Sequence, residues 1–109
     1  MINHGDTIYI ELNYTVNDVP LAEDNWDEIE FMFGGYRYSL SEGTIVLDQE
    51  LGTYCISITQ QQTFEMNYII EYQLRLLKDG DVISTKVQRM PLGNVLSTHV
   101  LSGGDNIYV

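Results

Sequence analysis

The chain of 109 residues is poor in the residues from which active sites are built: one cysteine, two histidines, two prolines, and five lysines and arginines together. A lone cysteine, Cys55, excludes an intramolecular disulfide. With no Cys pair or His pair at ligand spacing, the sequence argues against a zinc centre. The two histidines, His4 and His99, lie in terminal segments. No nucleophile, base and orienting acid are therefore grouped as acyl-transfer chemistry requires. No glycine-rich stretch runs into Lys-Ser/Thr, which removes a phosphate loop. No apolar run approaches the ~20 residues needed to cross a bilayer. The opening Met1-Ile2-Asn3-His4-Gly5-Asp6 has neither a basic region nor an apolar segment of signal-peptide type. The expectation is a protein made and folded in a reducing cytoplasm.

Positive charge is scarce as well. Sixteen acids face five bases, giving a net charge of -11, and eleven of those acids but only one base (Arg37) fall within residues 1–54. Such a surface repels phosphate backbones and anionic headgroups, so neither nucleic acid nor a membrane is an expected partner. One region of the fold should be strongly electronegative, serving solubility or a basic partner.

What the chain does contain is strand-forming. Hydrophobic residues make up 44%, with eight Tyr, three Phe and one Trp, while alanine, the best helix former, occurs once, at Ala22. Ile8, Ile10, Leu12 and Tyr14 alternate with Tyr9, Glu11 and Asn13, as in a half-buried strand. Thr15 to Asn25, with Asn17-Asp18, Pro20 and several acids, has the makings of an exposed loop. Ile29, Phe31 and Phe33 form the inward set of a second strand, and Gly34-Gly35 turns the chain into the more polar Tyr36 to Leu40. Gly43 to Leu47 and Thr53 to Ile58, joined by Asp48 to Gly52, make a hairpin. Thr59 followed by Gln62 has the spacing of a capping box, so one helical turn is expected over 60–65, with Phe64 dropping into the core.

The strongest local signal is Asp79-Gly80, a dipeptide suited to a two-residue type I′ turn. Counting outward from it pairs Leu76 with Ile83, Leu74 with Thr85 and Tyr72 with Val87 on an apolar face. Leu77 with Val82, Arg75 with Ser84, Gln73 with Lys86 and Glu71 with Gln88 form the other face. A one-residue slip would invert the two. The reading is one all-β domain: an immunoglobulin-like antiparallel sandwich of six to seven strands over residues 1–96, with a short helical turn near 60–65. Residues 97–109 are either an arm or a last strand.

Each candidate site has a plainer counterpart. Cys55 reads as an inert strand thiol. Asp18, Glu23, Asp24, Asp27 and Glu28 offer oxygens for Ca²⁺ but lack the spacing of an EF-hand loop, so a solvated acidic loop is the simpler account. Trp26, Tyr36 and Tyr38 are candidates for a glycan-stacking platform, against ordinary packing in a Tyr-rich sandwich. Asn13-Tyr14-Thr15 matches a glycosylation acceptor that a cytoplasmic chain would not use. In the last segment Val100, Leu101, Ile107, Tyr108 and Val109 are the candidate partner contacts. No catalytic residue, metal or cofactor is expected.

One stretch carries a resemblance. Leu40-Ser41-Glu42-Gly43 is followed by Leu51-Gly52-Thr53-Tyr54, Ile58-Thr59-Gln60-Gln61-Gln62-Thr63-Phe64, Glu71-Tyr72-Gln73-Leu74-Arg75-Leu76 and Lys78-Asp79-Gly80-Asp81-Val82-Ile83-Ser84. This series, within Leu40 to Leu96, resembles small immunoglobulin-like structural proteins of phages and prophages. It is similar in style to the amino-terminal sandwich of phage baseplate upper proteins. The resemblance implies a non-enzymatic virion subunit of the decoration, head-fibre, neck or tail-associated kind. It would be made in the host bacterial cytoplasm, incorporated in multiple copies, and bound to other virion proteins. The alternatives are a carbohydrate-binding module for host surface glycans and a cytoplasmic inhibitor with an electronegative face.

Overall fold

The structure, a computed structural model, describes residue 3, residues 5–93 and residues 105–108. In chain order the strands are β1 (Ile8–Leu12), β2 (Thr15–Val16), β3 (Val19–Pro20), β4 (Glu28–Phe33), β5 (Tyr36–Ser39), β6 (Val46–Asp48) and β7 (Thr53–Ile58). After helix α1 (Gln60–Phe64) come β8 (Ile69–Lys78), β9 (Asp81–Ser84), β10 (Gln88–Pro91) and β11 (Asp105–Tyr108).

Two sheets stack around one core. The first has the order β11-β1-β7-β6; the second is β10-β8-β4-β5, with β9 also paired to β8. This is the Greek-key order of an immunoglobulin sandwich, with β1, β7 and β6 in one layer and the β8 hairpin, β4 and β5 in the other. The all-β sandwich expected from alternation is what forms. Counting β9 and β10 as halves of one strand, the two sheets hold eight strands among the described residues, against the six to seven expected. The difference includes β11, which lies parallel to β1 from Ile8↔Asp105 to Glu11↔Tyr108. The last segment thus takes the outer place that in this architecture belongs to a strand preceding β1.

The inward sets are those that the alternation marks. Ile8, Ile10 and Leu12 from one sheet meet Ile29, Phe31, Phe33, Leu74 and Leu76 from the other, all essentially without solvent contact. Each such side chain contributes about 1.5–3 kcal/mol relative to leaving it exposed. Phe31 sits at its centre, its ring 5.9 Å from Phe33 and 6.0 Å from Tyr72.

The β8–β9 turn carries Asp79 at φ 52° and Gly80 at φ 83°, the positive pair that a type I′ turn demands. Its register runs as expected from Lys78↔Asp81 to Arg75↔Ser84. Beyond that the expected pairing fails by one residue: Tyr72 faces Gln88 and not Val87, and Glu71 faces Arg89 and not Gln88. The cause is Thr85. Its N–H donates to the Leu74 carbonyl (2.9 Å), while its own hydroxyl accepts from Leu74 N–H (3.1 Å) and its carbonyl accepts from the Gln73 amide (2.9 Å). That anchoring replaces ladder bonds and leaves an extra residue before Gln88, a bulge that interrupts the sheet edge.

Two further expectations are corrected. The Thr15 to Asn25 segment is no plain exposed loop: Asn17 and Asp18, both at positive φ, close a miniature hairpin between β2 and β3. A 3₁₀ turn, Leu21–Glu23, then sinks Leu21 into the core. The capping box at Thr59 and Gln62 forms with both reciprocal hydrogen bonds, 3.2 and 3.1 Å. The helix it starts turns Gln60 and Thr63 inward, so Phe64 is only half-buried and Met66 reaches the core instead. Phe64 packs on Gly5, where a Cβ would come within 2.4 Å of the ring.

Candidate functional site

The most distinctive feature of the surface begins at the Asp48 turn. The Asp48 carboxylate accepts from the N–H groups of Glu50 (2.9 Å) and Leu51 (3.0 Å), and its carbonyl accepts from Gly52 N–H (2.8 Å). This aligns β6 against Thr53, Tyr54 and Cys55 of β7. The pairing stops there. Upstream of Val46 the chain is pulled across to the other sheet, where Thr44 and Ile45 N–H both donate to the carbonyl of Ser39 (3.1 Å each). Ser39 N–H donates to the Thr44 hydroxyl (2.7 Å), and Ser39 and Ile45 are buried. From Ile56 to Ile58, β7 is therefore paired with β1 alone, and among the described residues its other edge has no strand beside it.

That free edge opens onto a groove of about 570 Å³, bordered by Tyr38, Thr44, Val46, Cys55, Ser57 and Gln62 among others. Of the described residues lining it, only Asp48 is charged. Val46, on the rim, is 57% exposed. At one wall Tyr38 is buried and its hydroxyl donates to Gln62 Oε1 (3.2 Å), the same oxygen that caps Thr59 N–H. Burial, then the neighbouring Tyr36, pushes the Tyr38 hydroxyl well above the ordinary tyrosine range. Tyr36 is likewise held, its hydroxyl bonded to the Glu65 carboxylate, which raises its pKa. Both tyrosines therefore tie α1 to β5. Cys55 is half-buried on the same face, its Sγ 3.8 Å from the Thr53 carbonyl. Of the groove residues, Thr59 and Gln62 were marked by the sequence only as a capping box, and Val46 and Ser57 were not singled out. The available signal was the unequal length of the two apolar runs, since the shorter one cannot cover the longer.

The proposed aromatic platform is not brought together. Tyr36 pairs opposite Phe33 at the far end of β4, whereas Trp26 precedes its beginning. The six residues of β4 carry the chain roughly 20 Å between them. Trp26 is instead a local brace: its Nε1–H donates to the Leu21 carbonyl (3.1 Å) and Lys78 Nζ lies 5.5 Å above its ring. The same ammonium contacts both Asp24 oxygens at 2.6 Å. That bond, with one from Asn25 N–H, holds the Asp24 carboxyl below its usual pKa.

Of the five acids offered as Ca²⁺ ligands, Asp24, Asp27 and Glu28 are each held by a different partner. Asp24 is held by Lys78, and Asp27 accepts from Asp79 N–H (2.8 Å). Glu28 accepts from Ser41 N–H and Ile29 N–H (3.0 Å each) and from the Ser41 hydroxyl. Burial pushes the Glu28 carboxyl up, but those hydrogen bonds outweigh it and bring it below the usual range. Among the described residues no three metal-ligating side chains converge. Asp24, Asp27 and the Asp79 turn do meet at one end of the sandwich, with Lys78 paired to Asp24 among them.

The outer face of the second sheet differs in kind. Arg37 pairs with Glu30 (2.7 Å) and Glu42 (3.1 Å), Arg75 pairs with Glu30 (3.4 Å), and Arg89 approaches Glu71 (3.8 Å). Each such exposed pair contributes little, ~0–1 kcal/mol, yet together they occupy most of the basic residues the chain has.

Of the residues expected to contact partners, Val100, Leu101 and Val109 lie outside the described residues. Ile107 and Tyr108 belong to β11, opposite Ile10 and Glu11. Within this single chain, residues 105–108 pair with β1 as a strand. No described helix is long and apolar enough to cross a membrane. Comparison of the chain with protein-family models, curated proteins and solved structures returned no match.

Proposed function

We propose that this chain is a non-enzymatic assembly subunit that binds other proteins through the edges of its first sheet. The observation that carries the proposal is the stretch Ile56–Ile58 of β7, whose edge away from β1 has no described strand beside it and borders a groove with one charged residue among its described lining. An open edge supplies backbone donors and acceptors to an incoming extended segment, while the groove beside it sorts side chains. The resemblance of residues 40–96 to phage structural sandwiches suggests the setting: a virion, with neighbouring virion proteins as partners and several copies per particle.

The test is sedimentation of phage particles carrying a tagged copy, with the stoichiometry separating a decoration protein from a neck or tail subunit. A Val46→Lys variant, charged on the groove rim, should remain folded and fail to enter particles. A Val82→Lys variant, equally exposed but on the other sheet, should enter normally. Absence of the parent protein from particles, or entry of Val46→Lys at the parent level, would overturn the proposal. The excess of acids over bases supports a second reading, an inhibitor of a basic partner. That complex would weaken steeply with salt. The glycan-binding alternative lacks a shared surface, because Trp26 precedes β4, Tyr36 pairs opposite its last residue and Tyr38 is buried.

A further inference from the structure

All five bases of the chain lie on the second sheet or in its connections: Arg37 on β5, Arg75 and Lys78 on β8, Lys86 between β9 and β10, and Arg89 on β10. The first sheet has none. Its acids include Glu11 and Asp48, and Glu50 is exposed in the turn after β6. Glu11 and Val46 both stand opposite Cys55, one on each side of it, so the three share the outer face of that sheet. Val46 and Asp48, two residues apart on β6, share the same face at a spacing of about 7 Å. Both turn N–H groups that Asp48 accepts go to a single carboxylate oxygen, Oδ1.

An exposed aliphatic rim with one carboxylate just beyond it suits a particular kind of side chain. Lysine and arginine lay an apolar stem along apolar surface and carry their charge at its end. An extended segment can pair along Ile56–Ile58 only as far as Val46, because β6 holds the rest of the edge. There the incoming chain has to lift away over Val46. A basic residue at that point sets its stem on Val46 and its head at Asp48.

We propose that the occupant of the groove is an extended segment of another protein, with a lysine or arginine where it leaves the edge of β7. This deepens the assembly reading and rests on its claim that the β7 edge is used. A second copy of this chain is a poor occupant. It would bring a further net charge of -11, and four of its five bases are already paired on its own surface with Glu30, Glu42, Asp24 and Glu71.

The probes are capped heptapeptides that alternate Val and Thr, with one position at a time replaced by Lys, by uncharged norleucine or by Glu. Each is titrated into the full chain while backbone amide shifts are followed by NMR. At one position the Lys peptide should bind about fivefold tighter than its norleucine counterpart, the upper range for one partly exposed ion pair. Shifts should centre on Val46 and Cys55 to Ile58, and Glu at that position should weaken binding. Asp48→Asn keeps Oδ1 for the turn N–H groups and removes the charge, so it should fold as the parent does and lose the preference for Lys. The peptide series uses the parent chain, so it decides the matter even where the variant is unstable. Failure of every peptide to bind, a gain from Lys that is absent or equal at all positions, or a preference that survives Asp48→Asn would overturn the proposal. So would dimerisation of the peptide-free chain with shifts along the β7 edge, which would put a second copy in the groove. Particle entry separates this failure from that of the assembly reading. If Val46→Lys is excluded while Asp48→Asn enters at the parent level, the edge is used and the basic side chain is wrong.

Discussion

The two sheets of this sandwich share a core and differ in almost everything outside it. The β8-containing sheet is internally satisfied: its turn has the residues its geometry demands, its outer face is crossed by ion pairs, and its bulge at Thr85 blunts one edge. The β1-containing sheet is held together at its margins by less. One edge is filled by a strand from the distant end of the chain, and the other is abandoned after Cys55. Under the proposed function the contrast separates stability from recognition: one layer is closed on itself, and the other has an edge of β7 that a partner could pair with.

The largest expected effect tests the core that both layers depend on. Phe31→Ala removes a side chain with no solvent contact and should cost about 3–5 kcal/mol. Chemical denaturation should show one transition, shifted as a whole. Two separate transitions would mean that the layers are not one cooperative unit. The next effect should be confined to one layer. Deleting residues 105–109 should speed hydrogen exchange at β11-facing amides of Ile8–Glu11 by about tenfold or more, equivalent to roughly 1.4 kcal/mol of local opening. Amides of Phe31 and Leu74 should keep their protection. Equal loss in both sheets would erase the distinction.

Much of this contrast was legible beforehand, and the reason is local. Alternation fixed which residues of β1, β4, β7 and β8 face inward, and Asp79-Gly80 set the hairpin register, because both depend on neighbours in sequence. The bulge was not legible, since Thr85 acts by reaching Leu74 and Gln73 across the sheet and nothing in Thr85-Lys86-Val87 marks it. Trp26 and Tyr36 were grouped because they are ten positions apart, yet a strand lies between them. The groove was missed for a related reason: it exists because Ser39 draws Thr44 and Ile45 away from β7. Met66 replaced Phe64 in the core because Gln60 and Thr63 take the inward face of the helix and Phe64 lies one position past it.

A smaller effect concerns the helix that ties the layers. Thr59→Ala deletes the capping hydroxyl and should cost ~1 kcal/mol, measured by thermal or chemical melting. Because Gln62 serves both the cap and the Tyr38 hydroxyl, the groove wall should loosen with it. The smallest is electrostatic. The depressed Asp24 carboxyl binds its proton less readily folded than unfolded. Its stabilising effect is therefore complete above the ordinary carboxylate pKa and lost as pH falls through the lowered value. The stability difference between the parent and Asp24→Asn should be small at neutral pH and vanish at strongly acidic pH. A difference that grew on acidification would show that Lys78 is not its cause.

The most direct test of the central claim compares hydrogen exchange in the free protein and in the assembled particle. The account expects new protection along Cys55 to Ile58 and at Val46, with Glu30, Arg37 and Arg75 on the other sheet unchanged. Protection gained on that ion-paired face, while the free edge of β7 exchanges as before, would contradict it.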